Sequence, residues 1–145
     1  MRSVVIVGAS LAGLSSARAL REQGFDGRIS IVGDEVHRPY DRPPLSKEFL
    51  AGADERLTLE TPDDAALEID WRLGSAAVAM DCRHRSITLA CGEELVADGV
   101  VVATGASAIA LPGTRGIAGI HVLRSLDDAR ALRDELAGGT RVAIV

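Results

Sequence analysis

The amino-terminal stretch is Ser3-Val4-Val5-Ile6-Val7-Gly8-Ala9-Ser10-Leu11-Ala12-Gly13. Its first residues form an almost continuous β-branched run, which is typical of a strand buried on both faces of a parallel sheet. Gly8 ends that run, and over residues 11–23 the apolar residues recur at helical spacing. A second apolar run, Arg28–Val32, predicts another strand. The order strand, glycine turn, helix, strand is the beginning of a βαβ unit.

The middle of the chain predicts a different kind of sheet. Short alternating segments at Ala76–Asp81, Ser86–Ala90 and Glu94–Ala97 are separated by turn residues, and this pattern indicates a small antiparallel three-stranded meander. The apolar run Gly99–Ala103 follows, and we expect it to rejoin the parallel sheet.

Three further helices are predicted from their first residues. Ser46 is suited to cap a short helix over Lys47–Ala51, and Thr61 to cap one over residues 62–68 with proline at its first position. Ser125 begins a capping box whose acidic member is Asp128.

Length, charge and hydropathy limit the kinds of partner that this protein can have. The chain has 145 residues and a formal net charge of −5, a size expected of one domain and a charge that argues against nucleic acid as the main partner. No apolar run approaches the roughly 20 residues of a membrane span, and the amino terminus lacks a signal-peptide pattern. We therefore expect a cytoplasmic protein without a membrane partner.

The two cysteines, Cys82 and Cys91, have no redox-motif spacing. With His84 they fall short of a zinc ligand set, so no metal site is predicted. The three histidines have no carboxylate partner that the sequence spacing reveals, and none is assigned a catalytic role.

The glycine turn matches a dinucleotide-binding pattern in two of its three glycine positions. Gly8 and Gly13 stand at the ends of G-x-G-x-x-G, and Ser10 replaces the middle glycine. Asp34 and Glu35 follow the second strand about 20 residues past the last glycine, where an acid accepts hydrogen bonds from a ribose. Two questions stay open at this point. The first is whether the turn binds a dinucleotide or is only a tight turn in a fold that binds none. The second is whether the ligand is FAD or NAD.

A longer stretch indicates a family. The run His37-Arg38-Pro39-Tyr40-Asp41-Arg42-Pro43-Pro44-Leu45-Ser46-Lys47, with Val32–Glu35 before it, resembles the FAD-dependent ferredoxin reductases. These are the NAD(P)H reductases of dioxygenase and cytochrome P450 systems, of the putidaredoxin-reductase type. Two further stretches, Val101–Gly105 and Leu123–Ala129, are similar to family motifs in the same order.

The resemblance implies an α/β fold and an activity. The fold is a Rossmann-like FAD-binding domain with a parallel sheet and the antiparallel meander. The activity is electron transfer from NAD(P)H through FAD to a [2Fe–2S] ferredoxin. The alternatives are a nicotinamide-only Rossmann dehydrogenase, which needs a complete six-stranded sheet, and a non-catalytic nucleotide-binding module.

The resemblance also implies two groups of cofactor-binding residues. The first group binds the adenosine diphosphate half of FAD: Gly8, Ser10, Ala12 and Gly13 with Thr104 and Gly105 at the pyrophosphate, Asp34 and Glu35 at the ribose, and the backbone of Val78 at the adenine. The second group contains basic residues, Arg42 and Lys47 near the flavin and Arg124 as a further FAD contact. Lys47 is expected to tune the flavin.

The last residues indicate how the chain is organised. Arg141–Val145 closely copies the strand that precedes the glycine turn. We expect residues 1–140 to form an incomplete FAD-binding domain and residues 141–145 to be the first strand of a second, NAD(P)-binding domain. On this hypothesis the 145 residues are a fragment of a longer enzyme, and the fragment alone is expected to have little or no reductase turnover.

Overall fold

The computed structural model describes residues 1–52, 56–114, 116–139 and 141–145. Seven strands, two α-helices and two 3₁₀ helices follow one another in these residues. In chain order they are β1 (Ser3–Val7), α1 (Leu11–Glu22), β2 (Arg28–Val32), a 3₁₀ helix (Pro43–Ser46), a second 3₁₀ helix (Pro62–Leu67), β3 (Ile69–Arg72), β4 (Ala77–Asp81), β5 (Ser86–Leu89), β6 (Glu94–Val96), β7 (Gly99–Val102) and α2 (Leu126–Leu136).

Four strands form a parallel sheet in the order β3-β2-β1-β7. β1 lies in the middle, in register with β2 from Ser3 opposite Arg28 and with β7 from Val4 opposite Gly99. The predicted βαβ opening and the return of residues 99–103 to this sheet are confirmed. β3 was not predicted: its four residues alternate between apolar and charged, but a run this short, directly after the helix expected over residues 62–68, gives only a weak strand signal.

The two faces of the parallel sheet are covered by different elements. Alternate β1 side chains point to opposite faces: Val4 and Ile6 pack in a cluster with Ala17 of α1. Val5 and Val7 pack against Ile87 and Leu89 of the antiparallel sheet instead. Every β1 residue from Val4 onward is buried. A strand that is covered on both faces needs apolar side chains at every position, and this explains the continuous apolar run.

The three-stranded sheet has the order β4-β5-β6 and is antiparallel throughout. Its buried residues lie mainly on β5, where Ile87 and Leu89 expose 1% and 2% of their surface. The predicted meander is confirmed with boundaries shifted by at most one residue.

One helix prediction was wrong. The expected helix over Lys47–Ala51 is replaced by the 3₁₀ helix Pro43–Ser46, followed by turns up to residue 52. Proline suits the first helical positions, so Pro43-Pro44 begin the helix earlier than Ser46 could. Lys47, at φ −129° and ψ −107°, leaves the helical region and ends it.

The other two helix starts are confirmed. Thr61 and Asp64 form a capping box for the second 3₁₀ helix, and Ser125 and Asp128 form one for α2. At Ser125 the side chain accepts a hydrogen bond from the Asp128 N–H, which satisfies one of the donors that a helix leaves unpaired.

The chain divides into two compact units. The first unit comprises residues 1–40 and 58–105 and contains both sheets and α1, and the second comprises residues 41–57 and 106–145 and contains α2. Residues 141–145 form no strand among the described residues. Their assignment to a second domain stays a prediction. No helix in the described ranges combines the length and the apolar character needed to cross a membrane.

An ion pair between Arg18 and Asp64 links α1 to the second 3₁₀ helix. The Arg18 guanidinium donates from Nε to Oδ1 of Asp64 at 2.7 Å and from Nη2 to Oδ2 at 2.6 Å. The Thr61 N–H donates to the same carboxylate at 2.6 Å. Only 7% of the Asp64 side chain is exposed, so the carboxylate of this bidentate ion pair is well shielded from solvent.

Replacing Asp64 by asparagine is expected to lower the free energy of unfolding by about 1–2 kcal/mol near neutral pH. Arg18 holds the pKa of Asp64 well below its ordinary value of 3.8, chiefly through the side-chain hydrogen bond. A lowered carboxyl pKa stabilises the fold above the unfolded-state pKa, and this contribution is lost as the pH falls through the folded-state pKa. The difference between wild type and variant should therefore shrink in acid. Denaturant titrations at several pH values measure it.

The matched control is Asp63→Asn, which removes the same charge from an exposed neighbour and is expected to change stability little. A difference between wild type and Asp64→Asn that stays constant from neutral pH into strong acid would contradict the prediction.

Candidate cofactor-binding site

The turn between β1 and α1 requires glycine at both ends of the motif. Gly8 has φ +125°, and a Cβ there would lie 2.1 Å from the Ala103 carbonyl oxygen. A Cβ on Gly13 would lie 1.9 Å from the Gly8 carbonyl oxygen. Both distances are to backbone atoms, so no side-chain movement relieves the clash. The two glycines let α1 and the residues after β7 approach the turn closely, as the motif predicts.

The amino terminus of α1 is open. Ser10 stands at the N-cap in extended conformation, and in the described part of the chain its side chain makes no capping hydrogen bond. The first turn of α1 contains no acidic residue. By contrast, the second 3₁₀ helix and α2 each carry a capping box and two acidic residues in the first turn. Because free N–H groups and the helix dipole favour an anion, the α1 terminus is suited to bind one.

The acidic pair lies beside this turn. The Gly8 N–H donates to the carbonyl of the last β2 residue at 2.8 Å, and a Cβ on Gly33 would lie 2.5 Å from the Ala9 Cβ. Asp34 and Glu35 follow Gly33 directly. The carboxyl ends of β1 and β2 therefore bring the predicted phosphate-binding and ribose-binding residues to one edge of the sheet.

The two acids differ in their surroundings. Asp34 is exposed, and its Oδ1 accepts the Glu35 N–H at 3.0 Å. Glu35 is half-buried, and its Oε2 accepts the Tyr40 hydroxyl at 2.5 Å. The Glu35 carbonyl also accepts the Gly74 N–H at 2.9 Å. Sequence reasoning gave Tyr40 no role, because the five-residue separation from Glu35 in a loop indicates no contact.

The residues after β7 complete this edge. The Ala103 N–H donates to the Val7 carbonyl at 2.7 Å, and Thr104 and Gly105 follow, exposed, with Gly105 at φ +67°. Val78 lies on β4 and is 62% exposed. All three residues are exposed in the first unit, and their roles toward FAD stay predictions.

The second unit contains the three predicted basic residues. Arg42 donates from Nη1 to the Arg124 carbonyl at 2.8 Å, and Arg124 donates from Nε to the Ala106 carbonyl at 2.9 Å. Lys47 is exposed at the end of the 3₁₀ helix. The structure thus brings Arg42 and Arg124 together beside a shallow cavity of about 330 Å³. The cavity is lined by Arg42, Pro43, Leu45, Ser46, Leu123 and Arg124.

Two histidines have carboxylate partners that the sequence spacing did not reveal. His84 Nδ1 lies 2.8 Å from Oδ2 of Asp81, and this hydrogen bond lowers the pKa of Asp81 below its ordinary range. His121 Nε2 contacts the carboxylate of Glu135 on α2. Neither pair includes a third metal-ligating group, and the described residues contain no cluster of three or more such side chains.

The glycine turn, the open helix terminus and the parallel sheet define a Rossmann-like nucleotide-binding fold, and the added antiparallel sheet is that of FAD-binding reductases. The chain belongs to the pyridine nucleotide-disulphide oxidoreductase family, whose model matches residues 2–145. Membership implies the use of a flavin and a nicotinamide nucleotide.

Two of the relatives that the chain matches are ferredoxin reductases. The chain is 42% identical over 146 residues to the biphenyl dioxygenase system ferredoxin–NAD(+) reductase component of Paraburkholderia xenovorans (strain LB400), covering 99% of this chain and 36% of that protein. It is 38% identical over 150 residues to putidaredoxin reductase CamA of Pseudomonas putida, covering 99% and 36%.

A solved structure gives the same result. The covalent putidaredoxin reductase–putidaredoxin complex matches with a TM-score of 0.84 and 39% identity, over 93% of this chain and 34% of that chain. The resemblance and the fold class predicted from the sequence are confirmed. The chain spans about a third of the length of the relatives it matches, and the roles of individual site residues stay predictions.

Proposed function

We propose that this chain is the FAD-binding part of an NAD(P)H:ferredoxin oxidoreductase, which passes electrons from NAD(P)H through FAD to a [2Fe–2S] ferredoxin. Three kinds of evidence support the proposal: the family, the ferredoxin reductases among its relatives, and a first unit with a site for a dinucleotide. A cytoplasmic location is part of the same proposal.

The open amino terminus of α1 is the observation that carries the proposal. FAD has a pyrophosphate with two negative charges, and the first turn of α1 offers N–H groups without a competing carboxylate. Gly8 and Gly13 leave room for backbone to approach the phosphates, and Glu35 supplies an acceptor for ribose hydroxyls. The residues present therefore fit the adenosine diphosphate half of FAD.

The antiparallel sheet argues against the first alternative. A nicotinamide-only dehydrogenase needs a complete six-stranded parallel sheet, whereas the described residues form four parallel strands and a separate three-stranded antiparallel sheet. The second alternative, a non-catalytic nucleotide-binding module, agrees with this fold, and an experiment must separate it from a reductase.

The basic residues of the second unit are proposed to act on the same cofactor. The chemistry that bound FAD supplies is to take up two electrons as a hydride from a nicotinamide and to release them one at a time to an iron–sulfur centre. Lys47 is a cation proposed to lie near the ring, where it stabilises the negative charge that reduction brings. Pro43-Pro44 fix two backbone φ angles before it and so restrict the path of the chain to Lys47.

Replacing Lys47 by methionine is expected to lower the midpoint potential of the bound FAD by about 30 mV or more, since 30 mV corresponds to about 1.4 kcal/mol for a two-electron couple. Lys47→Arg keeps the positive charge and is the control, expected to stay near the wild-type potential. Equilibration with reference dyes measures both. A potential that is the same in all three proteins would show that Lys47 does not tune the flavin.

The visible spectrum of the full-length protein tests the proposed function. A ferredoxin reductase is expected to purify yellow, to bleach anaerobically with NADH or NADPH, and to recover its colour when oxidised [2Fe–2S] ferredoxin is added. A yellow protein that neither nucleotide bleaches would be a binding module, and a colourless protein that cannot be reconstituted with FAD would overturn the proposal. The 145-residue chain alone is expected to show little or no NADH-dependent dye reduction.

A further inference from the structure

The Tyr40 hydroxyl is held against the predicted ribose-binding acid. It donates to Oε2 of Glu35 at 2.5 Å, a short hydrogen bond of the kind that a charged acceptor strengthens. An ionised carboxylate has about four acceptor positions on its two oxygens. Glu35 can therefore accept the tyrosine hydroxyl and ribose hydroxyls together.

Tyr40 is itself fixed in place. Only 7% of its surface is exposed, and it forms an antiparallel bridge with Thr58. Next to that bridge, the Leu59 N–H donates to the Pro39 carbonyl at 3.0 Å. The His37 ring meets the tyrosine ring edge-on, with centroids 6.1 Å apart and an angle of 82° between the planes. A hydroxyl on so constrained a ring can fix the direction of a carboxylate.

Among the described residues, no side chain supports the other acid, Asp34, in this way. Asp34 is exposed, and its Oδ1 is turned back to the N–H of the next residue. Glu35 is half-buried; its carbonyl accepts the Gly74 N–H, and its carboxylate accepts the Tyr40 hydroxyl. Of the two predicted ribose acids, Glu35 is the one whose carboxylate direction the fold determines.

We infer that Tyr40 is a positioning residue for FAD, which acts by orienting the Glu35 carboxylate toward the hydroxyls of the adenosine ribose. The inference rests on the proposed function, because it requires the cofactor to bind at the edge next to the glycine turn. Orienting the acceptor before binding lowers the entropic cost of forming the ribose hydrogen bonds. Tyr40 thus favours ligands that carry both ribose hydroxyls.

The test uses Tyr40→Phe, which removes the hydroxyl and keeps the ring that packs against His37. The full-length apoprotein is titrated with FAD, and ADP and 2′,3′-dideoxy-ADP are then measured by competition. The dideoxy compound keeps the adenine and the pyrophosphate but lacks the ribose hydroxyls. We expect FAD and ADP to bind about tenfold more weakly to the variant and dideoxy-ADP to change by less than about twofold.

A double-mutant cycle locates the effect. In a Glu35→Ala background, Tyr40→Phe is expected to leave ADP affinity unchanged, because the carboxylate that it orients is gone. Thermal unfolding of the apoprotein is followed in parallel and is expected to show Tyr40→Phe folded.

Each other outcome has a definite meaning. Three results would overturn the inference: equal weakening of all three ligands, an unchanged affinity for ADP, or a Tyr40→Phe variant that no longer folds. In each case the hydroxyl would stabilise the loop and would not orient Glu35 for ribose binding. A wild-type protein that binds no FAD would overturn the proposed function itself. The two failures are therefore distinguishable.

Discussion

Replacing Gly13 by alanine is expected to abolish tight FAD binding, with an affinity at least about 100-fold below wild type. The added Cβ would lie 1.9 Å from the Gly8 carbonyl oxygen, so α1 has to move away from the turn whose N–H groups bind the pyrophosphate. Overpacking of this kind costs about 1–3 kcal/mol of stability as well. Retention of flavin through purification, followed by titration of the apoprotein with FAD, measures the effect.

Gly138→Ala is the matched control. Among the described residues, nothing lies within 4 Å of a Cβ at Gly138, and neither Gly13 nor Gly138 has a positive φ. The same substitution is therefore expected to leave FAD binding unchanged and stability unchanged or slightly raised, since alanine restricts the unfolded chain. A Gly13→Ala protein that binds FAD as the control does would show that the close approach of α1 to the turn is not needed.

Replacing Ala12 by aspartate is expected to change stability and binding in opposite directions. Ala12 is exposed in the open first turn of α1, where a carboxylate stabilises a helix by about 0.3–1 kcal/mol. The same carboxylate would repel the FAD pyrophosphate. At a separation near 4 Å this repulsion weakens binding by about 100-fold or more. Thermal unfolding of the apoprotein and FAD titration measure the two effects on one sample.

Ala12→Asn separates charge from size, because asparagine has nearly the shape of aspartate and no charge. It is expected to bind FAD at least about tenfold more tightly than Ala12→Asp. If Ala12→Asp bound FAD as tightly as wild type, the α1 terminus would not be the pyrophosphate site.

The first unit was largely predictable from the sequence because its signals are local and agree with one another. The apolar run Val4–Val7 is buried on both faces, as such runs predict, and the glycine turn and the meander follow with clear turn residues. β3 (Ile69–Arg72) was missed because a four-residue strand depends on pairing with β2, a contact that its own sequence does not specify.

The helix after the prolines shows a competition between two local signals. Ser46 is a good N-cap residue, but Pro43-Pro44 already have the φ values of helical first positions. The structure begins the 3₁₀ helix at Pro43 and ends it at Ser46. An N-cap residue therefore predicts the start of a helix less well where a pair of prolines precedes it.

The site was predictable where its residues are fixed by backbone geometry and not where they depend on side-chain contacts. Gly8 and Gly13 follow from a motif whose spacing has a steric cause. The contacts of Glu35 with Tyr40 and of His121 with Glu135 join residues across loops, and no periodicity places such side chains together. Arg42, Lys47 and Arg124 were assigned by resemblance alone, and their roles stay predictions.

A crystal structure of the full-length protein with FAD tests the central claim most directly. The account predicts phosphate oxygens of the cofactor about 3 Å from backbone nitrogens in the first turn of α1, and ribose hydroxyls within the same distance of the Glu35 carboxylate. A structure with the pyrophosphate bound elsewhere, and the first turn of α1 open to solvent, would contradict it.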